Sequence, residues 1–208
     1  MVCAFIVMKC ERFSQITDLK DYLENNRLIA HYCGFNIMKP LPSYWTYDRF
    51  LKEVDNGELK NIMAQQVKKL YELGIVDASF IGLDSTPVAA NTKQNNPKSF
   101  AKDKFKPENH PKADPDCALG VHSASNQHNE RRYEFYWGYK NHVLVDCISG
   151  LPLYELTTPA NVADSSVVQN ILAAANKTLP LQECTFLGDK GYDVKAIYDL
   201  VKNVYQGD

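Results

Sequence analysis

The feature that most limits what this chain can fold into is a change of texture near residue 79. Before it, Leu59, Ile62, Met63, Val67, Leu70 and Leu73 form one helical stripe, and Gly74 stands where a helix closes on a left-handed residue. After it come short apolar runs of strand character at Ser79–Leu83, Tyr133–Cys147 and Cys184–Leu187. The first part reads as helical throughout. Thr17 is expected to cap a short helix through Leu19, Tyr22 and Leu23, and a second spans Asn26–Cys33 with Gly34 closing it. Pro40 and Pro42 break the pattern, and Thr46 offers a further cap before Arg49, Phe50 and Val54. In the second part, Ser149-Gly150 marks a turn between the long strand and a return strand, Leu151–Thr158. Asp164 and Asp193 are expected to cap the two helices that flank the Cys184–Leu187 strand. A strand and a hairpin of two strands, followed by a helix–strand–helix unit, predict a mixed α/β sheet with helices packed on it, over residues 76–208. A small helical domain over residues 1–75 precedes it.

Composition narrows the classes. The chain has 208 residues, 45% hydrophobic and 23% charged, which excludes a disordered tail, a fibre and a coiled-coil rod. Its leading apolar stretch, Val2–Met8, is too short for a membrane helix or a signal segment, so a cytoplasmic protein with no membrane partner is expected. The net charge of −2 argues against nucleic-acid binding through bulk positive charge and leaves room for a local patch. Six scattered cysteines without a CxxC pair read as reduced, buried thiols. Cys117, His122 and His128 lack a fourth ligand at a usual zinc spacing. Residues 91–130 are polar and proline-rich, too long for an ordinary loop, and read as a functional insertion or a partly disordered stretch.

Two aspartates stand out. Asp84 follows the run Phe80–Leu83, and Asp189 follows Cys184–Leu187. Ligands in open α/β sheets bind at the carboxyl ends of strands. If the two strands are neighbours, both carboxylates face one crevice and repel each other unless a cation is present. A hard cation such as Mg²⁺ relieves that repulsion and holds phosphate oxygens. A pair of such ions can clamp the attacking and leaving oxygens of a phosphodiester. Taken singly, each aspartate also fits a turn or a helix cap, and Gly188 and Gly191 suit a tight turn around Asp189. Lys140 and His142 share a strand face and are candidates to meet a phosphate, or form a surface pair on a hairpin. Arg131 and Arg132, ahead of Tyr133, Phe135, Tyr136 and Trp137, are candidates for phosphate contact beside bases stacked on the rings, against ordinary core aromatics. The lysines at 93, 98, 102, 104, 106 and 112 make a locally basic stretch, a DNA-facing or a merely solvated loop.

Four segments, in order, carry a resemblance. Ile81-Gly82-Leu83-Asp84-Ser85-Thr86 resembles the first-aspartate motif of the IS4-like DDE transposases of bacterial insertion sequences. Gly138–Asp146 with Ser149-Gly150-Leu151-Pro152 resembles the hairpin of that domain, and Thr158–Ser165 the stretch before its next helix. Gly188-Asp189-Lys190-Gly191-Tyr192-Asp193 resembles the second-aspartate motif, and Leu41-Pro42-Ser43 through Arg49-Phe50 is similar to the preceding helical domain. The resemblance implies a ribonuclease H-like fold and DNA transposition: DNA cleavage and strand transfer at insertion-sequence ends with Mg²⁺ or Mn²⁺. Asp84 and Asp189 would be catalytic metal ligands, DNA the partner, and a homodimer the working form of the complete enzyme. It also implies a third carboxylate, a glutamate on a later helix. The residues after Asp189 contain no glutamate, so a form truncated before its last strand and helix is expected. The alternative is a non-catalytic, DNA-binding transposase remnant.

Overall fold

A computed structural model describes residues 1–99, 103–125 and 131–208, the side chains of residues 124, 125, 131 and 132 excepted. The chain forms two compact units that part between Asn61 and Ile62. The break falls inside the long helix rather than at residue 75, because the helix's later turns carry Met63, Val67 and Leu70 to the core of the second unit.

The first unit holds helices α1 (Val2–Cys10), α2 (Ile16–Asn25), α3 (Arg27–Tyr32) and α4 (Tyr44–Glu53). Leu19 and Leu23, one turn apart, are fully buried with Ala4, Ala30 and Tyr47. Phe5 and Phe35 meet the Tyr47 ring edge-on at 6.1 and 6.3 Å. Burial pushes the Tyr47 phenol up to about 12. Neither expected threonine caps its helix: the N-cap residues are Gln15 and Ser43, and Thr17 and Thr46 lie inside the first turn.

The second unit begins with the last turns of α5 (Asn56–Glu72), which Gly74 closes at φ +67° with the Ile75 N–H donating to the Leu70 carbonyl at 3.0 Å. Among the described residues five strands follow: β1 (Phe80–Ala89), β2 (Ala118–Ser125), β3 (Arg131–Asp146), β4 (Pro152–Pro159) and β5 (Thr185–Gly188). Helix α6 (Asp164–Ala175) joins β4 to β5, and α7 (Lys195–Val204) follows β5. The long β3 is the spine. It pairs antiparallel with β1 along one edge, and with β2 and then β4 along the other. β5 adds to the far side of β1 in parallel, with Ile81 beside Phe186 and Leu83 beside Gly188. The sheet is therefore mixed, as the element order predicted, with one strand more than expected. β2 arises from the polar stretch.

One face of the sheet is sealed. Ile81, Leu83 and Leu144 point into a core completed by Val167, Val168, Ile171, Leu172 and Ala175 of α6 and Ile197 and Val201 of α7. These helix positions recur at three and four residues, the spacing that turns one stripe to the sheet. After α7 the chain returns beside β5. The Asp208 N–H donates to the Cys184 carbonyl at 3.1 Å and the Phe186 N–H to the Asp208 carbonyl at 2.7 Å, the bond pattern of a parallel bridge. No helix among the described residues is long and apolar enough to cross a membrane.

Candidate active site

The parallel pairing of β1 with β5 places the two aspartates. Leu83 and Gly188 are Cα partners; Asp84 is the next residue on β1, and Asp189 is the first residue after β5 ends. Neighbouring strands run about 4.8 Å apart, so the pairing brings both acids to the same end of β5. Asp84 is not at a strand end, as the apolar run suggested. β1 continues to Ala89 because β3 keeps pairing with it as far as Gly138. It is β5 that stops, at Gly188, and so the open end of the shorter strand bares both carboxylates. Both residues are exposed. Asp84 Oδ1 accepts from the Ser85 N–H at 2.7 Å, and Asp189 Oδ1 from the Gly191 N–H at 2.8 Å. Asp189 thereby caps the single 3₁₀ turn Lys190–Tyr192. Among the described residues neither acid is in an ion pair. Two adjacent oxygen donors that lack a cationic neighbour are a fit chemistry for a hard divalent cation. Among the described residues, no three His, Cys, Asp or Glu side chains gather closely enough to hold a metal ion together.

Tyr192, three residues after Asp189, is a functional candidate that the sequence alone did not single out. It is 4% exposed, its ring meets Phe186 edge-on at 6.4 Å, and its N–H donates to the Asp189 carbonyl at 3.0 Å. A Cβ on residue 188 would lie 2.9 Å from the Tyr192 Cβ, so only glycine lets the ring pack there. The hydroxyl lies beside the Ser85 side chain without completing a hydrogen bond. Burial pushes this phenol well above its ordinary range, and the negative charges of Asp164, Asp84 and Asp189 push it the same way. A glycine just before an acid is the one sequence signal of a bulky neighbour beneath it.

The Lys140 and His142 pair turns inward. His142 is wholly buried, with Nε2 2.9 Å from Thr158 Oγ1 and Nδ1 3.8 Å from Asp164 Oδ1. In this position it does not reach a phosphate, and the expected DNA contact is corrected accordingly. The cause is the pairing of β3 between β1 and β4, which sets His142 beside Ser85 and Leu156 on the sealed face. Burial holds its imidazole below the ordinary value; Asp164 opposes this and Lys140 adds to it. Lys140 Nζ donates to Asp164 Oδ1 at 2.9 Å and to the Val162 carbonyl at 3.0 Å, so its charge is spent inside the domain. Asp164 accordingly does not cap α6: the N-cap residue is Ala163, without a side-chain bond, and Asp164 serves Lys140 instead. Asp193 likewise leaves the cap of α7 to Val194 and accepts from the Tyr198 hydroxyl at 3.2 Å.

Arg131 and Arg132 open β3, and their side chains lie outside the described residues. His128 of the weak zinc pattern and Lys102 of the basic stretch also lie outside them. Cys117 is buried and His122 exposed.

The family described as transposase DDE domain matches residues 68–206. The chain belongs to that family. The DDE domain so matched holds both aspartates, the polar layer around Lys140 and His142, and Tyr192. The whole chain is also similar to solved structures of a transposase. One is the Mos1 transposase paired-end complex with left transposon end, at 14% identity and a TM-score of 0.32, covering 97% of this chain and 55% of that one. Another is the Mos1 strand transfer complex, at 13% identity and a TM-score of 0.33, with the same coverage. A third is the Mos1 mariner paired-end complex with Mn, at 12% identity and a TM-score of 0.33. The DDE chain spans about half the length of these relatives. No curated protein matches it.

Proposed function

We propose that this chain serves DNA transposition through a ribonuclease H-like domain of the IS4-like group, and that Asp84 and Asp189 are its catalytic metal ligands. The observation that supports the reading is the Leu83–Gly188 pairing, because Asp84 is the next residue along β1 and Asp189 is the first residue beyond β5. Membership of the transposase DDE domain family supports it. Mg²⁺ or Mn²⁺ bound there supplies Lewis-acid activation of the attacking water or hydroxyl and of the leaving oxygen. The chain's own residues do the rest. Asp84 would hold the cation from β1 and Asp189 from the cap of the 3₁₀ turn that directly follows β5. The Asp189 cap bond to Gly191 keeps one carboxylate oxygen in place and leaves the other for a ligand. Lys140 braces the first turn of α6 through Asp164, and His142 is held by Thr158 of β4, rather than touching DNA. Phosphate contacts fall to Arg131, Arg132 and the exposed lysines of the 93–112 stretch. DNA is the partner, and a homodimer the form that handles two ends together.

One observation favours the alternative, a non-catalytic DNA-binding remnant: among the described residues no third acid joins the pair. Metal dependence separates the two readings. Binding of a duplex oligonucleotide is measured with and without Mn²⁺, alongside nicking of a supercoiled plasmid. The metal-ligand reading expects Mn²⁺-dependent binding or nicking that Asp84→Asn and Asp189→Asn each reduce at least about tenfold. Binding that ignores Mn²⁺ and both substitutions, and falls steeply with salt, establishes the remnant instead.

A further inference from the structure

The Tyr192 hydroxyl is a buried donor with no hydrogen-bond partner among the described residues, and that is a costly condition unless something uses it. Its surroundings point to what that is. The ring is clamped between Gly188 and Phe186, so the phenol has little freedom to swing out to water. It anchors the short turn on which Asp189 stands, and the two residues line one cavity of about 760 Å³ beside the end of β5. The Ser85 side chain lies beside its hydroxyl, and the negative charges of Asp164, then Asp84, then Asp189 raise its pKa. Asp164 is already committed to Lys140, and Asp84 sits across on the neighbouring strand. Asp189 is on the same turn as the phenol.

We propose that Tyr192 is a positioning residue: its hydroxyl donates to the Asp189 carboxylate when that carboxylate turns to a divalent cation, and so sets the affinity of the site. The inference rests on the metal-ligand reading of Asp84 and Asp189. Carboxylates that ligate metals are themselves held by hydrogen bonds, and loss of such an outer partner typically weakens binding 10–100-fold. A neutral phenol suits the task, because it orients one oxygen while adding no charge to compete with the cation.

The test is Tyr192→Phe, which keeps the ring and removes only the hydroxyl. Mn²⁺ affinity is read by electron paramagnetic resonance of the free ion, and thermal unfolding is followed with and without Mn²⁺. The expected result is a Tm without metal equal to or above that of the unaltered protein, since an unsatisfied buried hydroxyl has gone. Mn²⁺ affinity is expected to fall about tenfold, and the Mn²⁺-induced rise in Tm to shrink with it. An affinity within twofold of the unaltered protein overturns the proposal. So does a Tyr192→Phe protein less stable before metal is added, which would mark the hydroxyl as structural. Asp189→Asn separates the two levels. If it loses Mn²⁺ binding while Tyr192→Phe keeps it, only the positioning role fails. If neither the unaltered protein nor Asp189→Asn binds Mn²⁺, the metal-ligand reading fails and this inference with it.

Discussion

His142 shows what the strand pattern of this sequence carries and what it withholds. Alternation along β3 tells that Lys140 and His142 share a face, and they do. It does not tell which face. That depends on β1 and β4 pairing on both sides of β3 and on α6 closing over the result, contacts remote in sequence. The outcome has a pH signature. Burial depresses the folded-state pKa of His142 below the ordinary 6.5, with Asp164 opposing and Lys140 reinforcing the effect. The unfolded chain therefore binds the proton more readily than the folded one. Stability from this residue is fully present above about pH 6.5 and is lost as the pH falls from there towards the depressed value, with a slope of at most about 1.4 kcal/mol per pH unit. Urea unfolding of the unaltered protein and of His142→Gln across pH 7.5 to 5 checks this. The difference between the two curves should change only below about pH 6.5. Parallel curves throughout would mean that the imidazole is free to protonate in place.

At the scale of elements, the stretch between β1 and β3 is where the sequence was least legible. Residues 91–130 read as a functional insertion or a partly disordered stretch, and they contain β2 and a folded segment before it. β2 was hidden because Ala118-Leu119-Gly120-Val121-His122-Ser123 has neither alternation nor an apolar run long enough to register. The segment before it is organised by one side chain. Asn95 Nδ2 donates to the Ala90 and Trp137 carbonyls at 2.7 and 2.6 Å, and Oδ1 accepts from the Trp137 N–H at 2.9 Å. The link spans 42 positions, so no local pattern could have announced it. Trp137, 2% exposed, also donates from its ring to the Lys104 carbonyl at 2.9 Å, and His110 meets it edge-on at 5.0 Å. Asn95→Ala removes three bonds and strands the Trp137 N–H, while the Trp137 carbonyl keeps the Ala90 N–H at 2.9 Å. It is expected to destabilise the domain by about 1–3 kcal/mol. Hydrogen exchange should quicken across residues 90–117 more than in α6. Uniform protection across both regions would show that the clip is dispensable. Helices α2 to α7 and the β3–β4 hairpin, by contrast, were legible, because their own residues carry the period and the turn.

At the scale of the molecule, the order of elements was enough to predict a mixed sheet, and the question left open was whether the Asp84 and Asp189 strands are neighbours. Their pairing is a consequence of the crossover through α6, whose apolar stripe must lie on the same face as Ile81 and Leu83. Charge belongs to this scale too. A net charge of −2 gives the molecule no long-range pull on DNA, so any affinity must come from a few local cations. Within the basic stretch, Lys106 is paired with Asp103 at 3.1 Å, and Lys104 Nζ donates to the Asn96 and Ser99 carbonyls at 3.3 and 3.5 Å. Lys93, Lys98 and Lys112 are exposed and, among the described residues, take part in no ion pair. Desolvation costs them least, and counterion release rewards them most, when a phosphate approaches. Replacing all three by Gln is expected to flatten the dependence of log affinity on log salt by about 0.9 per lysine that meets duplex DNA. Unfolding free energy should stay within about 0.5 kcal/mol, since no packing is disturbed. Affinity measured from 50 to 200 mM salt decides it. A slope unchanged by the triple substitution but reduced by Arg131→Gln and Arg132→Gln would move the DNA-facing surface from this stretch to the start of β3.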